Sequence, residues 1–211
     1  MHAPPVFDRD FCDRFEQLLA WRRDQRDFLT DPLPEGTLEE LVSYASLAPS
    51  VGLSEPWRFV AVDDPARRQA LRENFQRCNE AALAGFSGER AALYARLKLQ
   101  GMDQAPVQFA LFAENNPGQG HGLGRRTMPE TAAYSAVAAL HTIWLVARSR
   151  GLGLGWISIL DPEEVSRLLD VPLHWVFLGY FCLGHPASQD DTPLLQREGW
   201  EHRRDSVVLY R

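Results

Sequence analysis

The stretch AAYSAVAALHTIWLVA at residues 132–147 is followed by RSRGLGLG at 148–155 and WISIL at 156–160. The first run is apolar almost all round, which predicts a buried helix that begins near Glu130 and ends before Gly151. Polar residues interrupt it, and it is shorter than the roughly 20 apolar residues that cross a bilayer. We therefore expect a core helix that leads through a glycine-rich turn into a β-strand.

The rest of the chain repeats this mixture of strands and helices. Short apolar and β-branched runs predict strands at 57–62, 107–113, 154–160 and 175–183, with a terminal strand at 207–210. Segments with helical periodicity lie between them. No repeat or linker interrupts the order. The sequence thus predicts one α+β domain over residues 1–211, with a mixed sheet of about five strands covered by helices on both faces.

Two further segments have an expected role of their own. Residues 64–101 predict two charge-rich helices broken near residues 85–88, and such a pair could form a lid. The polar tail at 187–211 is expected to be extended and to reach a partner subunit. A homodimer follows from that expectation, because the sheet and the long apolar helix offer more surface than one chain covers.

Composition limits the classes of function. The chain has 211 residues, 45% hydrophobic and 24% charged, and a net charge of -6, which favours a globular fold and argues against a nucleic-acid-binding surface. The 3 cysteines and 6 histidines lack the spacing of a metal site or a disulfide framework, so we expect no metal. The first ten residues lack the features of a signal peptide, which predicts a cytoplasmic protein.

Arg22, Arg23 and Arg26 bring three guanidinium groups close together in the sequence. Each can give paired hydrogen bonds to phosphate oxygens, so a phosphate monoester would suit them. The alternative is a solvated helix end, where cations are favourable in any case. Asp24 lies among these arginines and would stay ionised; beside a large apolar ligand it could act as a base, although surface salt bridging would equally explain it.

The glycines at 151, 153 and 155 resemble a dinucleotide fingerprint, but they follow a helix and open a strand, which is the reverse of that motif. They either let a flat ligand approach the backbone or form a helix end with a tight turn, and the glycines alone favour the turn. The loop at 49–57 combines two prolines with two hydroxyls that could meet a heterocycle. It could also be a simple connection between a helix and a strand.

Together, RRDQRDF at 22–28, APSVG at 48–52 with EPWRF at 55–59, and GLGWIS at 153–158 resemble the FMN-dependent nitroreductase superfamily over essentially the whole chain. With Asp24 and Ser158, the chain more narrowly resembles the BluB branch of this superfamily, the 5,6-dimethylbenzimidazole synthases, which has an Asp and a Ser at these places. Leu53 and Glu55 depart from the general pattern, which often has Asn and Gln there.

The resemblance implies an unusual reaction. Reduced FMN would be consumed with O2, giving 5,6-dimethylbenzimidazole, the lower axial ligand of cobalamin (vitamin B12), and erythrose 4-phosphate. It further implies a homodimer with the flavin at the interface, and a separate NAD(P)H-flavin reductase that delivers reduced flavin. A conventional NAD(P)H-dependent FMN nitroreductase or quinone reductase and a non-catalytic flavin-binding protein are the alternatives.

The same resemblance implies roles for individual residues. Asp24 would be the catalytic base, and Ser158 would hydrogen-bond the reactive edge of the flavin. The implied flavin contacts are Arg22, Arg23, Asp24, Gln25, Arg26, Pro49, Ser50, Leu53, Gly155, Trp156, Ile157, Ser158 and Arg203. The implied lid residues, which would close over the ring, are Tyr94, Leu97, Leu99 and Met102.

Overall fold

A computed structural model describes residues 3–97 and 101–211 of the chain. Seven α-helices and four strands alternate along these residues, with two short 3-10 turns at Tyr44–Leu47 and Val51–Leu53. The strands are β1 (Trp57–Ala61), β2 (Val107–Glu114), β3 (Gly153–Ile157) and β4 (Trp175–Gly184). The helices are α1 (Arg9–Trp21), α2 (Thr37–Ser43), α3 (Pro65–Ala84), α4 (Gly88–Arg96), α5 (Thr131–Ser149), α6 (Pro162–Leu168) and α7 (Leu194–Arg197).

The sheet has four strands in the order β1-β2-β4-β3, and every neighbouring pair is antiparallel. This differs from the mixed sheet of about five strands expected from the sequence. The parallel component is reduced to one isolated bridge, between Asp24 and Leu154. Residues 207–210 form no strand within the described part of the chain, and their side chains are exposed.

Helices cover both faces of the sheet, as predicted. On one face α5 packs its buried Leu140 and Ile143 against β2 and β4, and its buried alanines let the helix approach the strands closely. On the other face, side chains of α3 and α6, among them Leu71 and Val165, pack with Tyr180. The fold class, α+β, is therefore confirmed.

The helical elements outside this sandwich agree in part with the sequence. Residues 64–101 contain α3 and α4 with a break at 85–87, as predicted. The tail contains the short helix α7, which the sequence pattern did not indicate. None of the helices in residues 3–97 and 101–211 is both long and apolar enough to cross a bilayer.

Candidate functional site

A cleft lies between the segment after α1, the end of α4 and the tail. Its larger lobe has a volume of about 260 Å³ and its smaller lobe about 180 Å³. The two lobes share Arg23, Asp24, Arg26 and Leu194, so they are parts of one cleft. The sequence motif at 22–26 therefore lines a cavity rather than an open helix end.

The glycines of β3 explain why this segment lies here. The Gln25 N–H donates to the Leu154 carbonyl at 3.0 Å, so the chain after α1 runs beside β3. A Cβ on Gly155 would collide with the carbonyl oxygen of Gln25, and a Cβ on Gly153 would lie 2.8 Å from the Gln25 side chain. Gly151 ends α5 with a left-handed φ of 77°. These glycines thus serve a helix end and the chain's own close packing.

Two groups hold the Asp24 carboxylate where the segment after α1 runs beside β3. Its Oδ1 accepts from the Trp156 backbone N–H at 2.7 Å, and its Oδ2 accepts a short charged hydrogen bond from Arg26. Asp24 also lines the cleft. Burial raises the pKa of the Asp24 carboxyl above its usual range, against the opposing effects of Arg26 and the Trp156 N–H. Asp24 is therefore a fixed carboxylate that takes up a proton more readily than a solvated one.

The arginines around Asp24 form a strained positive cluster. Burial lowers the pKa of Arg22 and of Arg23, and the charge of Arg203 lowers both further. Arg22 stacks over the Trp144 ring at 5.0 Å, and the Trp144 indole donates to the Arg23 carbonyl at 3.1 Å. The Nε of Arg23 is buried and has no hydrogen-bond partner among the described residues.

This cluster fits a phosphate group. Phosphate oxygens would satisfy the orphaned Arg23 Nε and relieve the repulsion among Arg22, Arg23 and Arg203. Arg203 lines the same lobe as Arg22 and Arg23, so the structure brings this tail residue to the motif. Arg26 also lines both lobes, but it is turned to Asp24 and to the Trp156 carbonyl, to which it donates at 2.7 Å.

The predicted ring-lining residues Pro49, Ser50 and Leu53 lie elsewhere in the same chain. The Val51 N–H beside them donates to Ser135 near the start of α5. The arginine cluster packs on Trp144, more than two turns further along α5, which is about 13 Å of helix rise. Pro49, Ser50 and Leu53 do not line the cleft that holds the arginine cluster. Leu53 adopts a left-handed φ of 55° and leaves 69% of its side chain exposed.

The residues at the end of β3 divide between core and surface. Ile157 is buried in the core beneath α3 and α6, so its side chain does not face the cleft. The Trp156 indole donates to the Leu178 carbonyl at 3.1 Å, which leaves its backbone to hold Asp24 and Arg26. Ser158 lies just beyond β3 and is exposed. Ser158 is thus near the strand that carries the site but is not part of the cleft lining found here.

The lid candidates mostly fill the interior of the chain. Met102 is 1% exposed in the core, and Tyr94 is buried with its hydroxyl donating to Asn79 at 2.8 Å. Leu97 is half-buried after α4, and Leu99 lies outside the described residues. Arg96, at the end of α4, is the residue of this helix pair that lines the cleft.

Sequence reasoning missed most of the tail's part of the cleft. The lining residues it did not indicate are Asp27, Arg96, Ser188, Asp190, Thr192, Pro193, Leu194, Leu195, Arg197 and Glu198. They share no motif or periodicity. Tertiary contacts bring the tail to the site: the Gln25 side chain donates to the Ser188 carbonyl at 3.2 Å and so ties the tail to the arginine segment.

The family of the chain follows from a comparison with known proteins. The model of the nitroreductase family matches residues 19–185, from the end of α1 to the end of β4. The chain belongs to the nitroreductase family. A relative in this family, a 5,6-dimethylbenzimidazole synthase of Rhodospirillum rubrum, is 52% identical over 211 residues and covers 100% of both chains. Another of that name, from Rhodobacter capsulatus, is 47% identical and covers 92% of this chain and 94% of its own.

Solved structures of other nitroreductase-fold proteins agree with this fold. An iodotyrosine deiodinase bound to FMN and 3-iodo-L-tyrosine superposes with a TM-score of 0.74 at 20% identity, covering 93% of this chain and 98% of its own. A nitroreductase with bound FMN from Desulfitobacterium hafniense has a TM-score of 0.63 at 20% identity, covering 93% and 97%. The close relatives of this nitroreductase-family chain are enzymes, and these neighbours of its fold bind FMN.

Proposed function

We propose that this chain fragments reduced FMN with O2 to give 5,6-dimethylbenzimidazole and erythrose 4-phosphate, and so supplies the lower axial ligand of cobalamin. The remaining four carbons and two nitrogens of the ring system leave as an oxidised pyrimidine fragment that takes up the oxygen atoms of O2. The observation that carries the proposal is Asp24, a fixed carboxylate with a raised pKa in a cleft walled by arginines. The full-length relative at 52% identity, named for the same product, supports it.

The chain's own residues would each have a defined task. Arg22, Arg23 and Arg203 would bind the phosphate and so fix the ribityl chain, while Asp24, ionised, would accept a proton at ribityl C1′. Reduced flavin, when bound, supplies the electrons that activate O2. Ser158 would hydrogen-bond the reactive edge of the ring once a ligand and a second chain complete the site.

A second copy of the chain would complete this site. The loop with Pro49, Ser50 and Leu53 does not line the cleft of its own chain, so the loop of a partner would line the ring. The apolar stripe of α1 supports this, because Phe11 and Phe15 are 48% and 42% exposed and α1 has no buried residue.

We expect light scattering at micromolar concentration to give a mass near twice 23.9 kDa. Burial of the α1 stripe and of Leu53 against the partner is the physical reason, since obligate homodimer interfaces are apolar. A folded particle near 23.9 kDa would contradict the homodimer.

The remaining requirements are external to the chain. A separate NAD(P)H-flavin reductase would deliver reduced FMN, and no metal takes part in the proposed chemistry. We place the reaction in the cytoplasm, a reducing compartment that suits three free thiols, at Cys12, Cys78 and Cys182.

The direct test is to mix the purified protein with chemically reduced FMN, admit air, and separate the products by chromatography. We expect 5,6-dimethylbenzimidazole with the protein and only oxidised FMN with heat-denatured protein. Intact FMN in both samples would instead indicate a flavin-binding protein. Rapid steady-state oxidation of NADPH by the protein alone would indicate a conventional reductase.

A further inference from the structure

An aromatic contact attaches the tail to α4. The ring of Trp200 lies edge-on to Phe86 at 5.5 Å and tilted against Tyr94 at 6.0 Å. The Arg90 guanidinium lies 4.8 Å from the centre of the Trp200 ring and donates to the Trp200 carbonyl at 3.0 Å. We call Phe86, Arg90 and Tyr94 the Trp200 socket. The socket contacts both the ring and the backbone carbonyl of Trp200.

The socket is held by its own contacts with α3. Arg90 and Tyr94 are one turn apart in α4 and so share a face of the helix. The Tyr94 hydroxyl donates to Asn79 of α3 at 2.8 Å, and its ring packs on Phe86 at 4.9 Å. Tyr94, which was expected to cover the flavin ring, instead forms the wall of this socket.

Trp200 in turn is bound to the helix α7 that precedes it. The backbone N–H of Trp200 donates to the Leu195 carbonyl at 2.8 Å, and Gly199 before it has a left-handed φ of 73°. This turn ends α7. Leu194 and Leu195 of α7 line the smaller lobe of the cleft. Arg203 follows Trp200 closely in the chain and lines the same lobe.

The position of Arg203 needs such an anchor. Its charge lowers the pKa of both Arg22 and Arg23, while Asp24 raises that of Arg22 and Asp190 and Asp191 raise that of Arg23, so Arg203 is repelled by two cations that acidic neighbours only partly offset. Residues 201–211 are exposed, so they provide little packing to oppose that repulsion. Trp200, three residues before Arg203, is where the tail contacts Phe86 and Arg90 through both its ring and its carbonyl.

We infer that Trp200 and its socket are positioning residues that hold α7 and Arg203 over the arginine cluster, so that the FMN phosphate meets a preassembled clamp. The inference rests on the proposed FMN site, and Trp200 acts through Arg203 rather than by touching the ligand. Preassembly raises affinity because the cost of bringing Arg203, the third group of the clamp, into place is met before binding.

The test compares affinities for oxidised FMN and for riboflavin, which lacks the phosphate, by flavin fluorescence at low salt. Trp200→Ala and Arg203→Ala should each weaken FMN binding about tenfold, the effect of one lost charged hydrogen bond, and leave riboflavin binding unchanged. The double variant should lose no more than Arg203→Ala alone, since Trp200 works through Arg203. Trp200→Phe should restore part of the loss, and His202→Ala, an exposed neighbour, should behave as wild type.

Three results would overturn the inference. They are equal losses for FMN and riboflavin in Trp200→Ala, additive losses in the double variant, and FMN binding that Trp200→Ala leaves unchanged. If Trp200→Ala does not fold, Arg90→Gln decides: it should weaken FMN but not riboflavin, and unchanged FMN binding refutes the role. A wild type that binds FMN no better than riboflavin would instead overturn the proposed function itself.

Discussion

Asp24→Asn is expected to bind reduced FMN but to return it, after aeration, as intact oxidised FMN with hydrogen peroxide. The amide has almost the shape of the carboxylate and keeps an oxygen that can accept from the Trp156 N–H, so the fold should survive. It cannot take up a proton. Loss of a base typically slows a reaction by about 10²- to 10⁴-fold, so release of peroxide should outrun fragmentation. The measurement is the ratio of 5,6-dimethylbenzimidazole to FMN.

Wild-type protein in the same buffer is the control, and oxidised FMN affinity shows whether the variant still binds flavin. If the variant forms benzimidazole at a rate within about tenfold of wild type, the loss of rate is smaller than removal of a base produces. Asp24 would then be only an ion-pair partner of Arg26.

The raised pKa of Asp24 gives this prediction a pH dependence. Burial favours the protonated carboxyl, and a protonated carboxyl cannot accept a proton from the ribityl chain. The yield of benzimidazole should therefore be full above that pKa and fall as the pH is lowered through it. Asp24→Asn has no such group and should show no fall over that range, which a pH profile of both proteins measures.

Cys182 is a second ionisable group close to Asp24, beneath the site. It lies in β4 directly opposite Gly155 of β3. Burial raises the pKa of the Cys182 thiol to about 12, so it stays protonated at neutral pH. Cys182 therefore does not compete with the Asp24 carboxylate as a proton acceptor at neutral pH.

The sequence predicted the elements of the core well, because their patterns are local. The hydrophobic pattern of the apolar run at 132–147 differs in period and length from the short apolar runs of β2 and β4. Both patterns arise because these segments are buried. The expected fifth strand failed for the opposite reason. A strand at 207–210 depends on a neighbouring edge, and nothing in its own residues supplies one.

Apart from Arg203, which the family resemblance implied, the candidate site was predictable only where its residues are consecutive. Arg22, Arg23 and Asp24 lie together in the sequence and in the cleft. Arg96 and Arg197 reach the same cleft from a helix end and the tail, and only tertiary packing brings them there. The glycines at 153 and 155 show a further limit, since a close approach by Gln25 and one by a ligand require the same residue.

Arg23→Ala is expected to weaken FMN binding by about 10- to 100-fold while riboflavin binding stays the same. The buried Arg23 Nε has no hydrogen-bond partner among the described residues, so a phosphate oxygen would gain a charged hydrogen bond there, worth about 1.5 to 3 kcal/mol. Arg77→Ala is the charge-matched control, because Arg77 is 56% exposed and pairs with Glu164 on the far helices.

Arg23→Lys separates charge from geometry. Lysine keeps the positive charge but has no donor at the Nε position and no planar fork, so it should recover only a small part of the affinity. Full recovery with lysine would mean that the cluster attracts phosphate by charge alone, and equal affinity of the wild type for FMN and riboflavin would mean that it binds no phosphate.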